Sequence, residues 1–272
     1  PWLQVESGLR MIQAALSSSA MIGADIDTVL ETASAAGLRG VEWTDDGFFD
    51  PRDPSSVSAA MMATLRAGLC TASYATLYRA VAHDRAAFRS ALGVTRDFNA
   101  PMLRLWSGPR GDDRGLDASA FLDESRFLGD EAGKHGITLC FGISRRSVLA
   151  SCDEATSVLA GTDHPFVKLA WEPASCGGFD AAMEDFTPLS GRIGLIVARG
   201  EDVLSADGSA DARSEEWYQY LDSYDEQCGS PDMARYVVLS STAGGPERLA
   251  EAAGAIASWG AMLRRYRRRR VM

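Results

Sequence analysis

Residues 25–44, DIDTVLETASAAGLRGVEWT, contain the unit that repeats along the chain. A helical pattern over 25–37 ends at Gly37, and after a short link a β-rich apolar run over 39–44 predicts a strand. Further strands are predicted near 9–15, 69–74, 101–106, 137–142, 166–171, 192–197 and 235–240. Further helices are predicted over 55–67, 83–98, 117–134, 153–160, 179–186, 214–227 and 246–266.

This alternation predicts an α/β protein, a single (β/α)8 TIM barrel that spans residues 1–272 as one domain. Strand runs such as Tyr236-Val237-Val238-Leu239 are continuously apolar, as expected for a parallel sheet covered on both faces. Links from helix to strand are short, whereas the strand-to-helix links at 107–116, 172–178 and 199–213 are long and rich in Gly, Asp and Ser. We therefore expect the active site at the carboxyl ends of the strands.

Composition narrows the class of protein. Of 272 residues 46% are hydrophobic and 24% charged, which is ordinary for a globular protein, and the net charge of −10 argues against nucleic-acid or anionic-membrane partners. No apolar run is long enough to span a bilayer, and the first residues lack the pattern of a signal peptide. Five cysteines without a CxxC spacing indicate reduced thiols, so we expect a cytoplasmic protein. With nucleic acid and membrane disfavoured, we expect its partner to be a small-molecule substrate.

An arginine-rich segment closes the chain at residues 264–272. One interpretation is a solvated helix end whose charge complements the helix dipole. The alternative is a tail that binds anions. Only three histidines are present. His135 and His164 lie at the end of the barrel with the short links, whereas His83 opens a helix after the loop of strand three, with a structural role or a place at the mouth as its two interpretations, so a nucleophile paired with a histidine has little support.

Four motifs lie at the predicted strands, and they are Ala-Gly-Leu-Arg-Gly-Val-Glu-Trp (36–43), Ser-Tyr-Ala-Thr-Leu-Tyr-Arg (73–79), Leu-Arg-Leu-Trp-Ser-Gly (103–108) and Lys-Leu-Ala-Trp-Glu-Pro (168–173). Together they resemble the xylose isomerase-like sugar phosphate isomerase/epimerase superfamily, which includes endonuclease IV-like enzymes. The resemblance covers nearly the whole chain. It implies a TIM barrel that holds a divalent metal at its mouth through Glu, Asp or Glu, His and Glu from strands five to eight.

The positions that the resemblance assigns to those ligands are Gly142, Glu172, Val197 and Ser240. Glycine has no side chain, valine cannot coordinate, and serine is a poor ligand for Mg, Mn or Zn ions. We therefore expect a dismantled metal site, with no cofactor and no metal ligand. A metal-dependent sugar isomerase, with the ligands aligned wrongly, is the alternative.

Candidate catalytic residues are Glu172, Glu42 and Tyr74. Carboxylates among aromatic residues can have a raised pKa and act as acid or base, and a tyrosine can donate a hydrogen bond to a developing enolate. The alternative for each carboxylate is an ion pair with a nearby arginine in the barrel scaffold. For Tyr74 the alternative is packing.

Candidate substrate-binding residues follow the same strand ends, and they are Trp43, Tyr78, Arg79, Arg104, Trp106, Ser144, Arg145, Trp171, Arg199 and Ser240. The three tryptophans suggest an aromatic wall for a sugar or an aromatic ring, with barrel packing as the alternative. Arg104 is equally interpretable as an internal ion-pair partner. Arg145 and Arg146 suit an anionic or polyoxygenated substrate or a solvated surface.

Together these residues indicate a metal-independent isomerase, cyclase or lyase of specialised metabolism that works by acid–base chemistry. A non-catalytic protein that binds a small molecule or partner is the second hypothesis, because the lost ligands fit it equally well. An endonuclease-like role ranks lowest, since the metal cluster and a basic surface are both missing from the pattern.

Overall fold

The structure, a computed structural model, describes residues 12–80, 84–109, 118–145, 147–173, 179–204, 214–227, 235–241 and 245–271. Eight parallel strands follow one another in chain order and close into a barrel, with the first strand paired to the last. They are β1 (Ile12–Ser17), β2 (Gly40–Thr44), β3 (Cys70–Arg79), β4 (Met102–Trp106), β5 (Thr138–Gly142), β6 (Val167–Trp171), β7 (Ile193–Ala198) and β8 (Arg235–Leu239). The predicted TIM barrel is confirmed.

Helices cover the outside of the barrel. They are α1 (Ile26–Ala35), α2 (Pro54–Arg66), α3 (Arg85–Asp97), α4 (Ala118–Gly133), α5 (Cys152–Thr162), α6 (Phe179–Leu189), α7 (Gly200–Val203), α8 (Ser214–Gln227) and α9 (Pro246–Val271). The arginine-rich segment continues the backbone of α9 to Val271. None of the helices in the described ranges combines the length and hydropathy needed to cross a bilayer.

Local sequence explains where the helices begin and end. The side chains of Asp25 and Asp84 accept a hydrogen bond from the first turn of α1 and α3, and Asp53 does the same for α2 ahead of Pro54. The links that lead into β2 and β3 place Gly37 and Gly68 at φ of +71° and +74°. Only glycine adopts that conformation without strain, so these links can be short.

The strands carry two apolar layers, one inside the barrel and one between the barrel and the helices. Alternate strand residues fill the inside, mostly with small and medium side chains and with one tyrosine, and they are Ala15, Ala72, Met102, Cys140, Ala170, Leu195, Val197, Tyr236 and Val238. The residues between them pack outward against the helices. The inside of the barrel is therefore a filled core.

One strand departs from its predicted length. β3 continues to Arg79, five residues beyond the predicted end at 74, because its pairing with β4 shifts between Ala75 and Arg79. This irregularity carries Thr76 and Leu77 to the rim of the mouth.

Candidate active site

Glu42 is completely buried where β2 reaches the mouth. Its carboxylate accepts hydrogen bonds from the hydroxyls of Ser17 (2.9 Å) and Ser73 (2.7 Å) and from Nη2 (2.7 Å) and Nε (3.1 Å) of Arg104. Both oxygens are occupied by donors from three neighbouring strands. Of the two interpretations of Glu42, these contacts match the ion pair with an arginine, and Glu42 holds Arg104 in place.

The guanidinium of Arg104 lies between two carboxylates. Opposite Glu42, its Nη1 is 4.0 Å from Oε1 of Glu172, and only 13% of its side chain is exposed. Burial alone would lower the pKa of Arg104, but the charges of Glu42 and Glu172 and the hydrogen bonds to Glu42 raise it above the usual value. The mouth thus contains a fixed positive charge.

Glu172 follows β6 directly, with 34% of its side chain exposed to the mouth. Burial raises the pKa of Glu172; the charges of Arg104 and Arg199 oppose this rise, and those of Glu42 and Asp202 add to it. A glutamate with a raised pKa can exchange protons closer to neutral pH than an ordinary one.

The hydroxyl of Tyr74 is hydrogen-bonded to another carboxylate, that of Asp45. It donates to Oδ1 of Asp45, while Oδ2 of Asp45 accepts from the Thr76 hydroxyl (2.7 Å) and the Leu77 amide (3.1 Å). Burial, together with the hydrogen bond to Asp45, raises the pKa of Tyr74. The hydroxyl of Tyr74 therefore fixes the rim of the mouth, and a substrate would have to displace Asp45 to receive its proton.

A cavity of about 200 Å³ opens over the first half of the barrel. It is lined by residues of β1–β4 and their loops, namely Ser19, Thr44, Asp45, Asp46, Ala75, Thr76, Leu77, Arg104 and Trp106. Asp46 is exposed and accepts a hydrogen bond from the Thr44 hydroxyl (2.8 Å). Of the predicted site residues, Arg104 and Trp106 line this cavity.

Two of the three predicted tryptophan walls are wrong. Trp43 is completely buried on the outer face of β2, where its indole donates to the Thr64 hydroxyl of α2 (3.1 Å). Trp171 is completely buried on the outer face of β6, with ring centroids 4.6 Å from Phe186 and 4.9 Å from Tyr220. Both are core residues between barrel and helices, because successive strand residues point to opposite faces.

Tyr78 and Arg79 also lie away from the cavity. The ring of Tyr78 packs on Phe88 of α3 at a centroid distance of 5.6 Å, and burial and the charge of Glu124 raise its pKa to about 12. Arg79 is exposed at the end of β3. The side chain of Tyr78 packs on α3 and is not part of the cavity lining, so its contact with a substrate stays a prediction.

The remaining predicted binding residues form the rim of the second half. Ser144 closes a turn by accepting hydrogen bonds at its carbonyl from Ser147, and Arg145 is exposed; Arg146 lies outside the described residues. Arg199 is paired with Asp202 of α7 (3.2 Å), and the Ser240 hydroxyl donates to the Ala198 carbonyl (3.3 Å).

The four strand ends that the resemblance assigns to metal ligands hold a glycine, a glutamate, a valine and a serine. A Cβ at Gly142 would lie 2.8 Å from Cζ3 of Trp106, so the indole occupies the space of that ligand. Val197 faces the barrel interior and is 2% exposed. In the described part of the chain no three His, Cys, Asp or Glu residues are grouped as a metal would require. Glu172 is the single carboxylate among the four positions.

The histidines stay outside this arrangement within the ranges described. His135 is exposed in the link to β5, and His164 contacts Asp130 (3.2 Å) before β6, both at the amino ends of the strands. His83 lies outside the described residues.

The residues that sequence reasoning underweighted are those of the cavity rim. Asp45 and Asp46 follow Glu42 in sequence, and their carboxylates line the cavity together with Thr76 and Leu77. Asp46 could have been recognised from the sequence, because alternate residues of a strand share a face and Asp46 is an even number of residues from Glu42. For Thr76 and Leu77, at the irregular end of β3, the sequence contains no such indication.

Comparisons with known proteins bear on the fold. No protein-family model matches the chain, and no curated protein matches it. Many solved structures are similar to this chain, and three examples match it over most of their length. L-ribulose 3-epimerase has 13% identity and a TM-score of 0.70, covering 96% of this chain and 98% of its own.

A xylose isomerase-like TIM barrel protein from Mycobacterium smegmatis, in complex with magnesium, has 13% identity and a TM-score of 0.67 over 93% of this chain and 97% of its own. The probable 3-DHS dehydratase AsbF, involved in petrobactin synthesis, from Bacillus anthracis has 11% identity and a TM-score of 0.65 over 90% and 98%. The chain thus has the xylose isomerase-like TIM-barrel fold.

Proposed function

We propose that this protein is an isomerase- or lyase-type enzyme that moves a proton at a carbon next to a carbonyl group without a metal ion. The observation that carries the proposal is the pair formed by Arg104 and Glu172, 4.0 Å apart at the mouth. One is a fixed cation and the other a carboxylate whose pKa burial raises. Similar folds in an epimerase and a probable dehydratase support the reaction class.

The reaction follows from the charges of the two residues. Glu172 accepts the proton from the carbon, and the bonding electron pair moves to the carbonyl oxygen of the substrate. The guanidinium of Arg104 stabilises the resulting enolate oxygen, in the role that a divalent ion would have in a metal-dependent site. In an α-hydroxycarbonyl substrate, transfer of the hydroxyl proton to the enolate oxygen and return of the carbon proton to the former carbonyl carbon give the isomer, whereas loss of a leaving group from the next carbon gives an elimination product.

Glu42 is a positioning residue in this scheme. Its hydrogen bonds to Nε and Nη2 orient Arg104 so that Nη1 points towards Glu172. The hydroxyls of Ser17 and Ser73 donate the other two hydrogen bonds to this carboxylate, so in this scheme Glu42 does not move the proton.

The test is hydrogen–deuterium exchange in a chelator-treated protein. The protein is incubated in D2O with a panel of ketoses and hydroxyketones, and loss of the C–H signal is followed by proton NMR. We expect catalysed exchange by the wild type, and a loss of about 100-fold or more in Glu172→Gln, because general-base catalysis contributes about 10²–10⁴.

The matched control is Glu201→Gln. Glu201 lies at the same end of the barrel, 47% exposed, and its hydrogen bond from Ser241 survives the change to an amide. Exchange by Glu172→Gln at the wild-type rate, or exchange that returns only when a divalent ion is added, would contradict the proposal.

A non-catalytic binding role is the second candidate. It is favoured by the engagement of Glu42 and Tyr74, two of the three predicted catalytic residues, in hydrogen bonds within the protein. The two functions differ in one result: a binding protein shows ligand binding but no exchange with any member of the panel.

A further inference from the structure

The cavity at the mouth is off centre and small. Its lining comes from β1–β4 and their loops, whereas Glu172 stands at its border beside Arg104. Its volume of about 200 Å³ is below the range of about 300–1,000 Å³ typical of sites for drug-sized ligands. A single ring with a short substituent matches this size.

One wall of the cavity is aromatic. Trp106 pairs with Gly142 of β5, and its ring fills the space above that glycine, where a Cβ would lie 2.8 Å from Cζ3. The indole is half-buried, so part of its surface remains open to the cavity. Leu77, 69% exposed, adds a second apolar surface to the same cavity. These surfaces favour a flat, partly apolar ligand.

Among the described residues, the charge of the cavity lining is negative. Asp45 and Asp46 contribute two carboxylates to it, and Arg104 contributes one guanidinium. Arg79 and Arg145 are exposed at strand ends and do not line the cavity. A carboxylate or phosphate ligand would therefore meet net repulsion, and a cation would be attracted.

We infer that this cavity binds a small ring compound that carries an ammonium group. The ring lies against Trp106, and the ammonium group lies beside the carboxylates of Asp46 and Asp45. The indole adds a cation–π attraction to the same charge. This inference rests on the proposed function, since it names the substrate class of that mouth.

Three isosteric probes test it: benzylamine, benzyl alcohol and benzoate. Binding to the full chain is followed through the indole N–H resonance of Trp106 in a ¹⁵N-labelled sample, assigned with Trp106→Phe. We expect benzylamine to shift this resonance at a concentration at least about fivefold lower than benzyl alcohol, and benzoate not to shift it.

Asp46→Asn isolates the charge, because an asparagine oxygen still accepts the Thr44 hydrogen bond. We expect it to weaken benzylamine binding roughly five- to tenfold and to leave benzyl alcohol unchanged. Asp97→Asn, on α3 beside Arg96, is the control and should change neither.

Two results would overturn the inference: benzyl alcohol or benzoate shifting the Trp106 resonance as readily as benzylamine, or no probe shifting it at all. Both differ from failure of the proposed function, which is read from Glu172→Gln. The preference for benzylamine is read in the wild type and in Asp46→Asn, so the two failures are distinguishable.

Discussion

At the ends of β1–β4 the inward-facing side chains are polar and joined by hydrogen bonds, whereas at the ends of β5–β8 they are small or apolar. Ser17, Glu42, Ser73 and Arg104 form one connected group in the first half. The second half presents Gly142, Val197 and Ser240, with Glu172 as its single carboxylate at these positions. The resemblance to metal-dependent relatives implies the opposite distribution, with the ligands on strands five to eight. In this chain the buried ion pair of Glu42 and Arg104 lies in the half that the resemblance leaves without ligands.

The largest expected effect comes from breaking the first half. Glu42→Ala leaves the Arg104 guanidinium buried without its main partner, and we expect a loss of about 3–5 kcal/mol in the free energy of unfolding. Ser240→Ala in the second half removes one hydrogen bond to a carbonyl and should lose about 1 kcal/mol or less. Urea unfolding of both variants measures the contrast, and equal losses would contradict it.

The next effect tests the boundary between the halves. Gly142→Glu restores a carboxylate at β5 but collides with the Trp106 indole, so we expect a loss of about 1–3 kcal/mol in stability. Adding Trp106→Ala should recover part of the loss, as a double-mutant cycle would show. Gly254→Glu is the control, because nothing lies within 4 Å of a Cβ at that exposed position of α9.

Two tyrosines of β3 give a smaller, matched comparison. Tyr74→Phe removes the hydroxyl bonded to Asp45 and should lose about 1–3 kcal/mol, since Asp45 then lacks a buried donor. The Tyr78 hydroxyl has no hydrogen-bond partner among the described residues, so Tyr78→Phe should be close to neutral. Thermal unfolding measures both, and a Tyr78→Phe loss equal to that of Tyr74→Phe would refute the assignment.

The smallest effect is a dependence of stability on pH. Burial raises the pKa of Glu172 above 4.5, so the folded state keeps this proton where the unfolded chain has released it. The contribution of Glu172 to stability is therefore complete below the pKa of this group in the unfolded chain, and it is lost as the pH rises through the pKa of the folded state. We expect Glu172→Gln to remove this decline. Urea unfolding at steps from pH 4 to 8 tests it; parallel curves for the two proteins would argue against a raised pKa.

The barrel itself was predictable from the sequence because helix caps, short glycine links and apolar strand runs all indicate the same alternation. Each predicted strand overlaps the observed one. The end of β3 was not predictable, because Thr76-Leu77-Tyr78-Arg79 lies beyond an irregular pairing that depends on β4. Local sequence does not encode the register between two strands.

The site was predicted less well, and strand parity explains most of the difference. Glu42 and Trp43 are neighbours on β2, so they point to opposite faces, and only Glu42 can reach the mouth. The same rule separates Glu172 from Trp171, whereas Arg104 and Trp106 share one face and both line the cavity. In strands that are apolar on both sides, hydrophobicity hides this alternation. The hydrogen bond between Asp45, just after β2, and Tyr74 of β3 joins residues far apart in the sequence, so no local pattern predicts it.

The contact between Trp106 and Gly142 also restricts how this chain can change. A single substitution that supplies a ligand at position 142 places its Cβ within 2.8 Å of the indole. Removing the indole first opens a void at the mouth without supplying a ligand. A side chain at position 142 therefore requires a second change at Trp106, and each of the two changes is expected to be unfavourable by itself.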